Sequence, residues 1–192
     1  MIESQPEKFG RLGHLAFCDG KTGKIIVFGG QMYADFQNKF KRLITNSISI
    51  FDPEQQRISE IKHLMENQVA PRMYSCGFLI DQRLYVIGGL SLNGKVLGDF
   101  KEIDLTSEVG RSAQVECGLD LLEQVYCSQM CPVFYQSRCF RNLQTRCEEV
   151  RSKDLVQKLN WGNQTQYIMQ EGFYMFGGRL QNNFATNKLL LF

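Results

Sequence analysis

Short apolar runs closed by paired glycines divide the chain into similar segments. Three of these runs share one pattern, with β-branched or aromatic residues leading into Gly-Gly: Ile25-Ile26-Val27-Phe28-Gly29-Gly30, Leu84-Tyr85-Val86-Ile87-Gly88-Gly89 and Phe173-Tyr174-Met175-Phe176-Gly177-Gly178. Such a run predicts a buried β-strand, and the glycines at its end indicate a backbone that turns sharply or packs closely. Because the pattern recurs, it predicts a repeat architecture made of strands.

The segments on either side of the glycine pairs also recur. Upstream, Arg11 and Arg72 each precede a further short apolar segment. Downstream, another apolar segment ends in aspartate at Asp52 and at Asp104, and these aspartates are about 50 residues apart. Every copy therefore contains at least three short strands in a fixed order.

These features resemble the kelch repeat. The resemblance implies an all-β, kelch-type β-propeller whose blades are four-stranded antiparallel sheets. In that family the double glycine ends the second strand, an aromatic-aspartate pair ends the third, and a tryptophan usually opens the fourth. This sequence departs from the family pattern, because Ile58 occupies the tryptophan position of the first copy and the second copy has no aromatic residue there.

The interval between the second and third glycine pairs is too long for one blade and predicts a degenerate blade within it. Asp154 and Trp161 supply its aspartate and tryptophan, while Pro132-Val133-Phe134-Tyr135 keeps the strand without glycines. We therefore expect one propeller region over residues 1–192, with about four blade units. The units fall near 12–61, 73–117, 125–163 and 164–192.

The last predicted unit stops after its third strand, at Leu189 to Phe192. This leaves two alternatives for how the propeller ends. Residues Met1 to Glu7 supply the missing fourth strand and close the ring, or the chain is an incomplete, open propeller. We favour the partial propeller, in which an unpaired edge strand can associate with another chain.

Composition and charge exclude several classes of protein. With 192 residues and 43% hydrophobic content, the chain can bury an ordinary core. A net charge of +2 argues against obligate nucleic-acid binding. No apolar segment is long enough to span a membrane, and the sequence starts without the features of a signal peptide. We expect a cytoplasmic protein with no nucleic-acid or membrane partner.

The seven cysteines are predicted to be free thiols. No Cys-x-x-Cys pair occurs, and the spacings do not match common zinc sites. Cys18 and Cys76 fall in equivalent first strands, where cysteine behaves as a small buried hydrophobe. The remaining place for a metal site is the group Cys127, Cys131, Cys139 and Cys147.

The sequence predicts neither catalysis nor a cofactor. After each glycine pair no third spaced glycine and no helix start follow, which argues against a phosphate-binding loop. His14 and His63 are too far apart in the chain to suggest a metal triad, and no catalytic motif accompanies them. The alternative is a fragment of a propeller enzyme of the galactose-oxidase type, or a carbohydrate-binding propeller.

A binding face is predicted at the propeller edge where the glycine pairs end. The longest connection there, Gln31 to Asn46, is expected to be an exposed loop rich in aromatic and basic residues, which are common in interface hot spots. Tyr33 and Phe36 either contact a partner or pack against a neighbouring blade, and both alternatives stay open. The predicted partner-binding residues are Tyr33, Phe36, Phe40, Arg42 and Arg179.

Arg11 and Arg72 allow two interpretations. Arginines near the channel mouth hold acidic peptides in some adaptors of the family, whereas recurrence at a fixed register favours a structural role. We favour the structural role. The function predicted from the resemblance is a non-catalytic protein-interaction module that acts as an adaptor or scaffold for a protein or peptide.

Overall fold

The computed structural model describes residues 10–36, 39–61, 69–106, 111–114, 126–133, 148–149, 156–161, 164–169, 172–186 and 189–191. Within these ranges the chain forms β-strands and no helix, and all paired strands are antiparallel. The strands form three four-stranded sheets and two separate two-stranded hairpins. The predicted all-β class is confirmed. No helix in these ranges has the length and apolarity needed to cross a lipid bilayer.

The first sheet contains the first glycine pair. The chain forms β1 (Leu15–Cys18) and β2 (Ile25–Phe28), leaves the sheet as a hairpin, and returns as β5 (Ile48–Asp52) and β6 (Arg57–Ile61). The hairpin consists of β3 (Gln31–Phe36) and β4 (Lys39–Ile44). Most of the connection predicted to be a loop is therefore a regular strand pair, which contains aromatic and β-branched residues that favour strands, such as Tyr33, Phe36, Phe40 and Ile44.

The second sheet has its four strands in chain order. They are β7 (Cys76–Ile80), β8 (Arg83–Ile87), β9 (Phe100–Asp104) and β10 (Arg111–Gln114).

The third sheet is assembled from distant segments. Its strands are β11 (Gln129–Val133), β12 (Glu148–Glu149), β15 (Gly172–Phe176) and β16 (Leu189–Leu191), in the spatial order β11-β15-β16-β12. Between β12 and β15 the chain forms a separate hairpin of β13 (Val156–Trp161) and β14 (Gln164–Met169).

The third sheet differs from the predicted division into units 125–163 and 164–192. Strand β11 of the former pairs with β15 of the latter, so the two segments share one sheet. Trp161 ends β13 in the separate hairpin, while Asp154 lies outside the described residues. Strand β12 pairs with β16 at the place where a fourth strand was expected to be missing. The expected closure by Met1 to Glu7 also lies outside the described residues.

The three glycine pairs hold equivalent positions in their sheets. The first glycine of each pair has φ of +66°, +60° or +67°, and the second has +92°, +106° or +109°. The residue after each pair bridges back to the segment before the first strand, in the pairs Leu12–Gln31, Met73–Leu90 and Tyr126–Arg179. At Gly29 a Cβ atom would lie 2.8 Å from the Arg72 carbonyl oxygen, so a side chain is excluded there as well as strained.

The strand-ending aspartates organise the turns that follow them. The carboxylate of Asp52 accepts hydrogen bonds from the backbone N–H groups of Glu54 and Gln55, both at 3.1 Å. These bonds hold the pKa of Asp52 below its usual value. Asp104 accepts the N–H of Thr106 at 2.9 Å in the second sheet. Aspartate therefore recurs at this position for a local reason, because its carboxylate accepts hydrogen bonds from backbone N–H groups of the turn that follows it.

The first two sheets pack face to face around the main apolar core. The first sheet contributes Ile26, Phe28 and Ile48, and the second contributes Leu84, Val86 and Ile103, all at most 4% exposed. Gly77 permits this contact, because a Cβ there would meet the side chain of Leu15 at 3.2 Å and the Tyr85 carbonyl oxygen at 2.1 Å.

The opposite face of the second sheet is aromatic and turns toward the third sheet. Phe78 and Tyr85 stack with ring centroids 4.6 Å apart, and Phe100 meets Phe78 edge-on at 6.3 Å. On the same face the Sγ of Cys76 lies 3.2 Å from the Sδ of Met175 in the third sheet. The three sheets are therefore stacked in series, and the second sheet packs against the first through one face and against the third through the other.

Candidate functional site

The connections that follow the three glycine pairs emerge at one edge of the sheets. In each connection, the carbonyl oxygen of the second glycine accepts a hydrogen bond from the backbone N–H of the residue at which the chain returns to the sheet. Thr45 donates to Gly30 at 3.0 Å, Leu97 to Gly89 at 2.8 Å and Thr186 to Gly178 at 3.0 Å. We name this edge the loop face and define it as Leu12, the β3–β4 hairpin, and the loops Leu90–Leu97 and Arg179–Thr186.

Two loops of this face have the same backbone structure. In Leu90–Leu97 the Ser91 N–H donates to the Lys95 carbonyl at 3.0 Å, and in Arg179–Thr186 the Leu180 N–H donates to the Phe184 carbonyl at 2.9 Å. An asparagine carboxamide oxygen supports each turn, from Asn93 in one and Asn182 in the other. The repeat therefore extends beyond the strands into the loop face.

Gln181 joins these two loops into one surface. Its Oε1 accepts the backbone N–H of Val96 at 2.7 Å, and its Nε2 donates to the Gly94 carbonyl at 3.3 Å. Val96 is 1% exposed and Gln181 is exposed, so the first of these bonds is partly buried. Tyr126 adds a further bond from its hydroxyl to the Asn183 side-chain oxygen at 2.7 Å. These bonds connect the two loops with each other and with the segment that contains Tyr126.

The loop face carries three exposed large apolar side chains, including the two most exposed ones of the described residues. Phe184 is 71% exposed, Leu92 is 60% exposed and Leu12 is 54% exposed. The partner-binding residues predicted from the sequence include neither Leu92 nor Phe184. The signal that could have identified them was an isolated apolar residue within an Asn-rich turn, where no strand neighbour can cover it.

Exposed cations accompany these apolar side chains. Arg42, Lys95 and Arg179 are exposed in three different connections of the loop face. Arg179 bridges Tyr126 and Ala185 through its backbone, which leaves its side chain to solvent.

The predicted partner-binding residues of the first connection lie on the β3–β4 hairpin. Tyr33 pairs with Arg42, Asp35 with Phe40, and Phe36 with Lys39. Four of the predicted residues are thus on one two-stranded ribbon, while Arg179 lies in a different connection of the same edge.

Arg11 and Arg72 lie inside the fold and hold the strands that carry the glycine pairs. Arg72 is 0% exposed, and its guanidinium donates to the Gly88 carbonyl at 3.0 Å. Arg11 is 8% exposed and donates to the equivalent Gly29 carbonyl at 3.2 Å. Burial lowers the pKa of Arg11, although Glu60 opposes this effect. These contacts give Arg11 and Arg72 a structural role.

A groove of about 360 Å³ lies where the first strands of the three sheets meet. Equivalent residues of each sheet line it, among them His14, Ser75 and Ser128. The Nδ1 of His14 donates to the Arg11 carbonyl at 2.9 Å, since a carbonyl oxygen can only accept. The groove can therefore offer hydroxyl groups and one imidazole to a ligand.

Two thiols, Cys76 and Cys127, line the groove. Burial raises the pKa of Cys76 to about 12. Desolvation also raises the pKa of Cys127, and the opposing effect of Arg179 does not cancel it. Cys18, Cys76 and Cys127 are free thiols, and Cys18 is exposed rather than buried as expected. Cys131 lies in β11, whereas Cys117, Cys139 and Cys147 lie outside the described residues. In the described part of the chain, no three His, Cys, Asp or Glu side chains are grouped closely enough to hold a metal ion.

Comparison of this chain with models of known protein families gives no match, and comparison with curated proteins gives no similar sequence.

Proposed function

We propose that this chain is part of a kelch-type β-propeller and works as a non-catalytic protein-interaction module. In this proposal each four-stranded sheet is a blade, and the loop face binds a protein or peptide in an adaptor or scaffold role. Serial stacking of similar sheets around a shared groove supports the propeller. The glycine pairs and the strand-ending aspartates support the kelch type.

The observation that carries the proposal is the exposure of Phe184 and Leu92 on loops that are already ordered. Gln181 fixes the two loops against each other, so binding would cost little additional loop entropy. Large apolar side chains that are solvated in the free protein and held rigidly have the properties of interface anchors.

The charge of the same face indicates the chemistry of the partner. Arg42, Lys95 and Arg179 are exposed on the same face and give it positive charge. A partner with acidic groups beside its apolar contacts would associate faster and in one preferred orientation.

A site-specific crosslinking experiment tests this proposal. A photoreactive phenylalanine analogue at Leu92 should capture a discrete partner from extracts of cells that produce the protein. The Phe184→Asp substitution should abolish this capture. The matched control places the analogue at Glu54, which is exposed in a turn at the opposite edge of the first sheet. Equal capture from both positions, or capture unaffected by Phe184→Asp, would refute the proposed face.

A further inference from the structure

On the outward face of the first sheet, some residues are exposed although the equivalent residues of the second sheet are buried. Cys18, Ile25 and Phe51 form a row across the first sheet, paired in register. The equivalent row of the second sheet is Leu79, Leu84 and Ile103. Leu84 and Ile103 are 0% exposed because the first sheet covers them, whereas Ile25 is 36% exposed and Cys18 is exposed.

The face of the third sheet that points away from the second sheet is also exposed at a position that is buried in the other two sheets. The residue before each glycine pair is Phe28, Ile87 or Phe176, and the first two are covered by the next sheet in the series. Their exposed fractions are 0% for Phe28, 1% for Ile87 and 57% for Phe176. Tyr174 on the same strand is 5% exposed, so the uncovered part of this face is the end beside Gly177.

A series of backbone hydrogen bonds runs along the groove from the first sheet to the third. The Gly13 carbonyl accepts the Tyr74 N–H at 2.6 Å, and the Tyr74 carbonyl accepts the Cys127 N–H at 2.8 Å. These residues occupy equivalent places in the three sheets, and all three have positive φ. Among the described residues, none bonds to the Gly13 N–H or to the Cys127 carbonyl. One end of the series thus offers a donor and the other an acceptor.

We propose that a second copy of this chain packs its first sheet on the third sheet of the first copy, and that the reciprocal contact closes a ring of six sheets. The donor at Gly13 and the acceptor at Cys127 are complementary only in this head-to-tail order. A two-fold axis forms both junctions at once, and six lies within the range of roughly four to eight blades found in propellers. The proposal concerns the outer faces of the first and third sheets and does not depend on the partner-binding function.

The mass of the full chain in solution is the first test. Sedimentation equilibrium at micromolar concentration should give twice the chain mass of 22.1 kDa. Ile25→Lys and Phe176→Lys should each weaken self-association at least about 100-fold, because each would bury an unpaired ammonium group. Leu92→Lys, on the loop face, is the matched control and should leave the dimer intact.

Mixing the two variants tests the head-to-tail order. A pair made from one Ile25→Lys chain and one Phe176→Lys chain has one unaltered junction, so the mixture should form 1:1 pairs although neither variant associates alone. If a lysine variant fails to fold, Ile25→Ser and Phe176→Ser provide the same comparison. A monomeric wild-type chain, an open polymer of many copies, or a Phe176→Lys chain that still dimerises would overturn the proposal.

Discussion

Arg72 binds Asp99 through two parallel hydrogen bonds of 2.7 and 2.8 Å, and the arginine side chain is wholly buried. The pair ties the segment before the first strand of the second sheet to the start of its third strand. In the first sheet Arg11 instead donates to the hydroxyl of Ser47 at 2.9 Å. The same architecture is thus held by an ion pair in one sheet and by neutral acceptors in another.

Removing the carboxylate should destabilise the protein strongly. In Asp99→Ala the buried guanidinium of Arg72 loses its counter-ion, which should cost about 3 kcal/mol of unfolding free energy. Ser47→Ala at the equivalent position should cost only about 1 kcal/mol, since it removes a hydrogen bond to a hydroxyl. Urea unfolding of both variants measures the difference. Equal losses would show that Asp99 acts only as a hydrogen-bond acceptor.

Much of the strand pattern could be predicted because it is local. The run Ile25–Phe28 forms β2 as expected, and β9 ends at Asp104 as the repeat required. The pairing of β11 with β15 could not be predicted, since a long insertion separates the two strands. Val125 also occupies the position before Tyr126 where the other copies have arginine, so the repeat signal was missing there.

The site was harder to predict than the fold. Exposure of Leu92 and Phe184 depends on which strands the loops connect and on the bonds made by Gln181. Neither is encoded in a local pattern. The aromatic residues of the first connection suggested an exposed loop in the sequence, but the same residue types favour strands, and the connection forms the β3–β4 hairpin.

Three glycines separate the cost of backbone strain from the cost of steric overlap. Gly20 has nothing within 4 Å of an added Cβ and no positive φ, and Gly23 has φ +68° with equally open space. Gly29 combines φ +66° with a Cβ position 2.8 Å from the Arg72 carbonyl oxygen. Gly20→Ala should therefore change stability least, and Gly29→Ala should change it most.

The expected magnitudes follow from the two effects. Gly20→Ala should stabilise by up to about 1 kcal/mol, and Gly23→Ala should destabilise by about 1 kcal/mol. Gly29→Ala should cost about 3 kcal/mol, because the backbone must also move. Denaturant midpoints for the three variants measure these terms. A Gly29→Ala variant as stable as Gly23→Ala would mean that the carbonyl of Arg72 moves without cost.

Gln181 should control the dynamics of its neighbouring loop. Because its Oε1 accepts the Val96 N–H, Gln181→Ala should increase hydrogen exchange at the Val96 amide at least about fivefold, equivalent to about 1 kcal/mol. Gln55→Ala, in an exposed turn of the first sheet, is the matched control and should leave this amide unchanged. Unaltered exchange in Gln181→Ala would place the protection of Val96 elsewhere in the fold.

The buried thiol of Cys76 should make the protein less stable in alkaline solution. Burial raises the pKa of Cys76 from 9.0 to about 12, so the thiol ionises in the unfolded chain before it ionises in the folded one. The unfolded state then binds fewer protons above pH 9, and the unfolding free energy falls as pH rises toward 12. At pH 10 the ionisation of this thiol alone should lower the unfolding free energy by about 1 kcal/mol relative to pH 8.

Urea unfolding between pH 8 and pH 10 measures this loss. Cys76→Ala should lower stability at pH 8, since it removes packing against Met175, but should flatten the dependence on pH. Cys18→Ala changes an exposed thiol and should retain the wild-type slope. Tyr85, whose pKa is raised from 10.0 to about 12 chiefly by desolvation, begins to contribute only at the upper end of this range. A wild-type slope that persists in Cys76→Ala would assign the alkaline loss to groups other than this thiol.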